Sequence, residues 1–319
     1  MAGHEFDIID RYFAGRIRFT SDAVVLGMGD DCAILDIPAG KSLCVSTDTL
    51  LEGVHFPVGA PGSVAAHRSL CANLSDLAAM GATPLGFTLA LTLPAENVDW
   101  LEQFSARLCQ LTEKYEIPLV GGNLARGQLS ITITVMGTVP AGAAIPRSGA
   151  SAGDDVYVSG TLGDAAAGLR LLGSVADDDP LVWRYLFPEP RLAVGQAIVS
   201  RASAAIDISD GLIADLGHIC LASGVGARIE LARIPVNPLV PGQFNDTERV
   251  AMVTAGGDDY ELCFTANPSA RVEIQRIAAR LQLPLTLIGE TTGEIPEILL
   301  VDQDGAPVEL TTTGYQHFS

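Results

Sequence analysis

The chain has 319 residues, 48% of them hydrophobic and 18% charged, with a formal net charge of −19. That length suggests two domains of about 100–200 residues each, and the negative charge argues against a nucleic-acid partner, because no attractive field meets a polyanion. Mean hydropathy is high at +0.31, yet no stretch approaches the roughly 18 uninterrupted apolar residues of a membrane helix.

The first ten residues carry Glu5, Asp7 and Asp10 and no basic segment followed by an apolar one. They do not read as a signal peptide, so a cytoplasmic protein is expected. A short amphipathic helix is predicted over 7–12, and a strand over 43–47 that ends in Asp48. Val64, Cys71, Leu74, Leu77 and Ala78 recur at helical spacing over 63–80, with Gly81 placed to end that helix. A strand follows over 85–91. Residues 99–115 set Leu101, Phe104, Leu108, Leu111 and Tyr115 on one helical face, and Pro118 blocks continuation. The alternation in 129–135 is that of a half-buried strand.

From Pro140 to Gly153 small residues and turn formers dominate. The boundary is placed there, giving an N-terminal domain 1–140, a linker 141–153 and a C-terminal domain 154–319. The second domain reads as another α/β set. Its strands are expected near 155–159, 204–208, 226–231, 261–265, 285–288 and 297–301, and its helices near 164–172, 191–202, 212–222 and 271–282. The acidic, proline-flanked stretch 180–190 reads as a surface connection. Cys32, Cys44, Cys71, Cys109, Cys220 and Cys263 form no CxxC pair, which favours free buried thiols over a zinc site.

Five segments place an acidic residue among small ones at the end of an apolar run: Gly29-Asp30-Asp31, Ser46-Thr47-Asp48, Asn73-Leu74-Ser75-Asp76, Asp207-Ile208-Ser209-Asp210-Gly211 and Gly256-Gly257-Asp258-Asp259. Any one of them is ordinary turn or cap chemistry. Together they suit magnesium, which binds through a few carboxylates plus phosphate oxygens, and phosphoryl transfer, where metal neutralises the transferring group. Asp76 is the hardest to read as structural, because it lies inside a predicted helix of mostly Ala, Leu and Cys. The only lysines are Lys41 and Lys114, so arginine and divalent metal remain to balance a bound phosphate. Gly121-Gly122-Asn123 follows an apolar run, and glycines there let backbone amides approach a phosphate. The chain has no Walker motif. Arg147 sits in the linker, where it is either a solvated loop residue or a bidentate phosphate clamp.

In this order and spacing the segments resemble the ATP-binding superfamily that includes aminoimidazole ribonucleotide synthetase, selenophosphate synthetase and a hydrogenase-maturation protein. Within it they look most like the thiamine-monophosphate kinase family. The resemblance is carried by GMGDDCAIL (27–35), STDTLLEGVHF (46–56), NLSDLAAMGA (73–82), GGNLARG (121–127), RSGA (147–150), GDDVYVSGTLGDAAAGL (153–169), AIDISDGL (205–212), GGDDYELCF (256–264) and GYQHF (314–318), nearly the whole chain.

The resemblance implies an α+β fold of two α/β-layered halves, the N-terminal ones binding metal and ATP and pairing in a homodimer. It implies ATP-dependent conversion of thiamine monophosphate to thiamine diphosphate, the last step in making that cofactor, with several Mg2+ ions. It further implies metal ligation by Asp31, Ser46, Thr47, Asp48, Asp76, Asn123, Asp207 and Asp210, and ATP contacts by Gly122, Arg147 and Ser209. His55, Asp258 and Tyr315 would line the thiamine phosphate side. An aromatic beside a cationic thiazolium gains about 0.5–2 kcal/mol. No nucleophilic side chain stands out, so direct in-line transfer by positioning and electrostatics is expected. Two positions depart from the family pattern: Asn123 stands where Asp is usual, and Asp258 where Glu is usual.

Overall fold

The computed structural model describes residues 5–293, 297–310 and 314–315; residues 316–318 of the last family motif lie outside them. The chain forms two compact units, Met1–Leu77 with Ala82–Gly142, and Ala78–Gly81 with Ala143–Ser319.

The first unit begins with helix α1 (Glu5–Ile8), continued by a π-helical segment over Ile9–Ala14 that buries Tyr12 and Phe13. Strands β1 (Val24–Leu26) and β2 (Ile34–Leu35) make a small antiparallel pair. The main sheet has four strands, β3 (Lys41–Leu51), β4 (Thr83–Leu93), β5 (Leu119–Arg126) and β6 (Ser130–Pro140), in the order β3-β6-β4-β5. Only β4 and β5 pair in parallel. The long helix α2 (Gly62–Ala79) joins β3 to β4, and α3 (Val98–Lys114) joins β4 to β5. The α3 stripe Leu101, Phe104, Leu108 and Leu111 is buried, as its spacing predicts. Gly81, just past α2, has φ +69, a conformation open to glycine at little cost.

The second unit holds a six-stranded sheet of β7 (Asp155–Ser159), β8 (Ala202–Asp207), β9 (Gly226–Glu230), β10 (Leu262–Ala266), β11 (Leu285–Thr292) and β12 (Ile298–Val301), ordered β12-β9-β11-β7-β10-β8. Central strands β7 and β10 are buried at every residue. Helices α4 (Asp164–Leu171), α5 (Pro180–Leu186), α6 (Leu192–Ile198), α7 (Leu212–Ser223), α8 (Asp246–Ala255) and α9 (Arg271–Leu281) complete the unit.

Several sequence expectations need correction. Strand β3 does not end at Asp48 but runs on to Leu51, so Asp48 sits within a strand paired along its full length. Gly121-Gly122-Asn123 likewise does not follow a strand but lies within one, paired along β5. The stretch 180–190 is not a surface connection throughout, because α5 buries Leu181, Val182, Tyr185 and Leu186. Its start is built from the residues that suggested a loop: Asp179 caps the amides of Leu181 and Val182, with Pro180 in the first turn. Helix α8 was not foreseen either, although Asn245 and Glu248 form a reciprocal capping box at its start. Among the cysteines only Cys71, Cys220 and Cys263 are buried; all six are free.

Candidate active site

In the first unit, the two-residue period of β3 turns Ser46 and Asp48 toward α2, where Asn73 and Asp76 lie three residues apart on one helix face. The Ser46 hydroxyl donates to Asp76 Oδ2 at 2.6 Å. The Asp48 amide donates to Asn73 Oδ1 at 3.1 Å, and Asn73 Nδ2 donates back to the Ser69 carbonyl at 2.9 Å. Asn73 is fully buried, so it fixes the spacing of strand and helix. Partial burial raises the Asp48 pKa, a state that a bound cation would reverse.

The opposite face of the same sheet carries a different set. Thr47 Oγ1 meets Thr134 Oγ1 at 2.8 Å, and Thr49 meets Thr132 in the same way. Asn123 pairs across Ala90 in the row of Thr132 and Thr49, so the Asn123 amide and the Thr47 hydroxyl lie across the sheet from Asp48 and Asp76. A cavity of about 980 Å³ is lined by Asp31, Gly122, Asn123, Thr88 and Phe13. Gly122 permits close strand approach there, since a Cβ on it would stand 2.0 Å from the Leu89 carbonyl oxygen. His55, in the turn after β3, accepts the Leu51 amide on Nδ1 at 3.0 Å, while its carbonyl takes Nε of the fully buried Arg68 at 2.8 Å. In the neutral ring the hydrogen therefore sits on Nε2.

In the second unit the segment after β8 gathers most of the remaining candidates. Asp207 closes the strand and is buried. The Tyr260 amide donates to the Ile208 carbonyl at 2.9 Å, the Asp258 amide to the Ser209 carbonyl at 2.9 Å, and the Tyr315 amide to the Asp210 carbonyl at 3.1 Å. Asp207, Ser209, Asp210, Asp258 and Tyr315 are thus brought together through main-chain bonds between distant stretches. Asp258 has a left-handed backbone, φ +68, and its Oδ1 accepts from the Tyr260 hydroxyl at 3.2 Å. Arg147 is exposed; its carbonyl accepts from the Ser223 hydroxyl at the end of α7.

Three buried acids beside this segment have no role in the site that the resemblance implies, although Asp259 belongs to one of the five acidic segments. Asp215, on the first turn of α7, accepts the amides of Ser209, Asp210 and Gly211. Burial pushes it up to about 7, with those amides pulling the other way and the Asp210 charge adding to the rise. Asp259 accepts the amides of Gly163 at 2.6 Å and Ala165 at 3.0 Å at the start of α4, and burial pushes it up to about 8. Glu261 has no exposed surface and binds Arg184, Arg191 and the Ser159 hydroxyl. Two guanidiniums on one carboxylate satisfy a buried charge that would otherwise cost several kcal/mol. In the sequence these acids look like their neighbours.

Comparison with known proteins bears on both units. Residues 29–139 match the model of AIR synthase related protein, N-terminal domain, and residues 151–301 that of the C-terminal domain. Thiamine-monophosphate kinase of Escherichia coli (strain K12) is 46% identical over 325 aligned positions, covering 100% of this chain and 99% of the relative. That of Haemophilus influenzae is 43% identical, with the same coverage. Among solved structures, thiamine-monophosphate kinase from Stenotrophomonas maltophilia K279a superposes with a TM-score of 0.86 at 41% identity, over 97% of this chain and 99% of its own. AaThiL complexed with AMPPCP and TMP gives 0.76 at 30%, over 98% and 96%. The hydrogenase maturation protein HypE of E. coli, at 22% identity and 0.75, shares the fold. With family matches in both units and relatives this similar from end to end, the chain belongs to the thiamine-monophosphate kinase family of AIR synthase related proteins.

Proposed function

We propose that this protein transfers the γ-phosphoryl group of ATP to thiamine monophosphate, giving thiamine diphosphate and ADP. The observation that carries this is similarity along the entire chain to thiamine-monophosphate kinases, one of them complexed with AMPPCP and TMP. No helix among the described residues is long and apolar enough to cross a membrane, and we place the enzyme in the cytoplasm as a homodimer. The domain limits 1–140 and 154–319, joined by 141–153, are retained as part of this reading.

Among the described residues no three His, Cys, Asp or Glu side chains converge as a ready-made metal cage. Oxygen donors do stand near one another: the Ser46 hydroxyl bonds Asp76 on the face that carries Asp48, and Asp207, Ser209 and Asp210 share one short segment. This donor set fits Mg2+, which keeps its waters and takes one or two carboxylates plus substrate phosphates. We assign Asp31, Ser46, Thr47, Asp48, Asp76, Asn123, Asp207 and Asp210 to Mg2+ binding, the ion supplying charge neutralisation at the phosphates. Asn123 contributes a neutral carbonyl oxygen where the family usually has a carboxylate. The protein's own part is positional: Gly122, Arg147 and Ser209 hold the nucleotide, and His55, Asp258 and Tyr315 hold thiamine monophosphate. The His55 ring is held by the Leu51 amide on Nδ1, and we assign it to the phosphate of thiamine monophosphate. With no nucleophile required, transfer is direct and in line.

Phosphorus NMR of the purified protein with Mg2+, ATP and thiamine monophosphate tests the reading. Resonances of thiamine diphosphate and ADP should grow in equal amounts as both substrates fall. Unchanged substrates, or ADP with inorganic phosphate alone, would refute it.

A further inference from the structure

Asp215 is 2% exposed, and its Oδ2 receives three successive amides, Ser209 at 3.0 Å, Asp210 at 3.1 Å and Gly211 at 3.1 Å. The carbonyls on the other side of the same segment are also taken: Ile208 by Tyr260, Ser209 by Asp258 and Asp210 by Tyr315. The main chain of 208–211 is therefore fixed from both sides. Two of these clamps are the amides of Asp258 and Tyr315, which lie about 50 and 105 residues further along the chain; Asp215 is the only one supplied by a side chain.

The chemistry of this arrangement is specific. Without Asp215, the amides of the three residues ahead of α7 would be left as donors beside the positive end of a helix, an arrangement that attracts anions. Asp215 occupies the amides of 209–211 with an internal carboxylate, so these three are not offered to an external anion. What remains for a ligand is the side chains of Asp207, Ser209 and Asp210, which are oxygen donors suited to a cation. Small shifts in such ligands matter, because partners of metal ligands typically change metal affinity by about 10–100-fold when removed.

We propose that Asp215 is a positioning residue. By anchoring the 209–211 amides it holds Asp207 and Asp210 in a geometry that binds a divalent cation. The proposal rests on the assignment of Asp207 and Asp210 as ligands.

Mn2+ titration of the purified full chain, followed by electron paramagnetic resonance, tests it. The sites lost in an Asp207→Asn/Asp210→Asn double variant define the class contributed by this segment. Asp215→Ala should weaken that class by about tenfold or more, whereas Asp215→Asn, which keeps an oxygen at the position of Oδ2, should stay within about threefold of the parent. A urea midpoint for each variant separates loss of fold from loss of affinity. Should Asp215→Ala not fold, Asp215→Glu, longer by one methylene, carries the same expectation. A folded Asp215→Ala that binds Mn2+ like the parent overturns the proposal, and so does an Asp215→Asn as impaired as the alanine variant. If the double variant binds as many ions as the parent, the ligand assignment itself fails; the phosphorus NMR experiment then shows separately whether the kinase reading survives.

Discussion

Asp259 shows how a single buried group writes itself into a macroscopic property. Its carboxyl is held up near 8 by burial, against an ordinary value of 3.8 and despite two amide donors that lower it. The folded chain keeps a proton there that the unfolded chain has already released. Stability therefore falls as pH rises from about 4 toward 8, at up to about 1.4 kcal/mol per unit from this one group. Urea midpoints at pH 5 and pH 8 should show the parent weaker at the higher value, and Asp259→Asn should be less stable at pH 5 but flatter between the two. An unchanged pH slope in the variant would remove Asp259 as the source. At this scale the sequence was informative about acids flanked by small residues: Asp207, Asp210 and Asp258 stand out in it, and the structure joins their segments. It was silent on the burial of Asp215, Asp259 and Glu261. Glu261 is buried because Arg184 and Arg191, some 70 residues earlier in the chain, reach it, and no local pattern encodes such a partnership.

Elements whose apolar period was unbroken were legible, and α3 and β7 begin and end within a residue of expectation. Those missed were short and began with turn formers. Helix α5 opens on Asp179 and Pro180, which punctuate loops and cap helices equally well, and only the pair of adjacent apolar residues recurring after one turn separates the two readings. It packs on its neighbouring helices: Leu181 has no exposed surface and lies in a cluster with Ala167 of α4, Met252 of α8 and Val240. Leu181→Ala should lower unfolding free energy by about 2–5 kcal/mol, measured as a urea midpoint shift at constant slope. A shift below about 0.5 kcal/mol, the size of ordinary surface substitutions, would mean that α5 is peripheral. Within β3, alternation also explains why a run of candidate ligands divides. Neighbours Thr47 and Asp48 face opposite sides of one sheet, so adjacency in the chain is distance in space.

At the scale of the whole molecule the net charge of −19 governs behaviour in salt. Self-repulsion opposes the compact state, and its reach shrinks from about 30 Å at 0.01 M to about 8 Å at 0.15 M ionic strength. The thermal midpoint should rise between those two NaCl concentrations in metal-free buffer, and the gain should be smaller once saturating Mg2+ has neutralised part of the charge. A midpoint that falls with NaCl would show attractive ion pairs outweighing the excess of acid. The order of strands in the first unit bears on how the chain comes into being. Leu51 pairs with Ser130 and Lys41 with Pro140, so β3 is made long before its partner. At about 5–20 residues per second the ribosome needs roughly 4–20 s to add the intervening 80–100 residues. During that interval β4 and β5 are also complete, but β6, the strand between β3 and β4, is missing. An arrested nascent chain truncated before residue 130 should thus remain sensitive to protease over β3, because the last strand of the unit to be synthesised is the one that joins β3 to the rest.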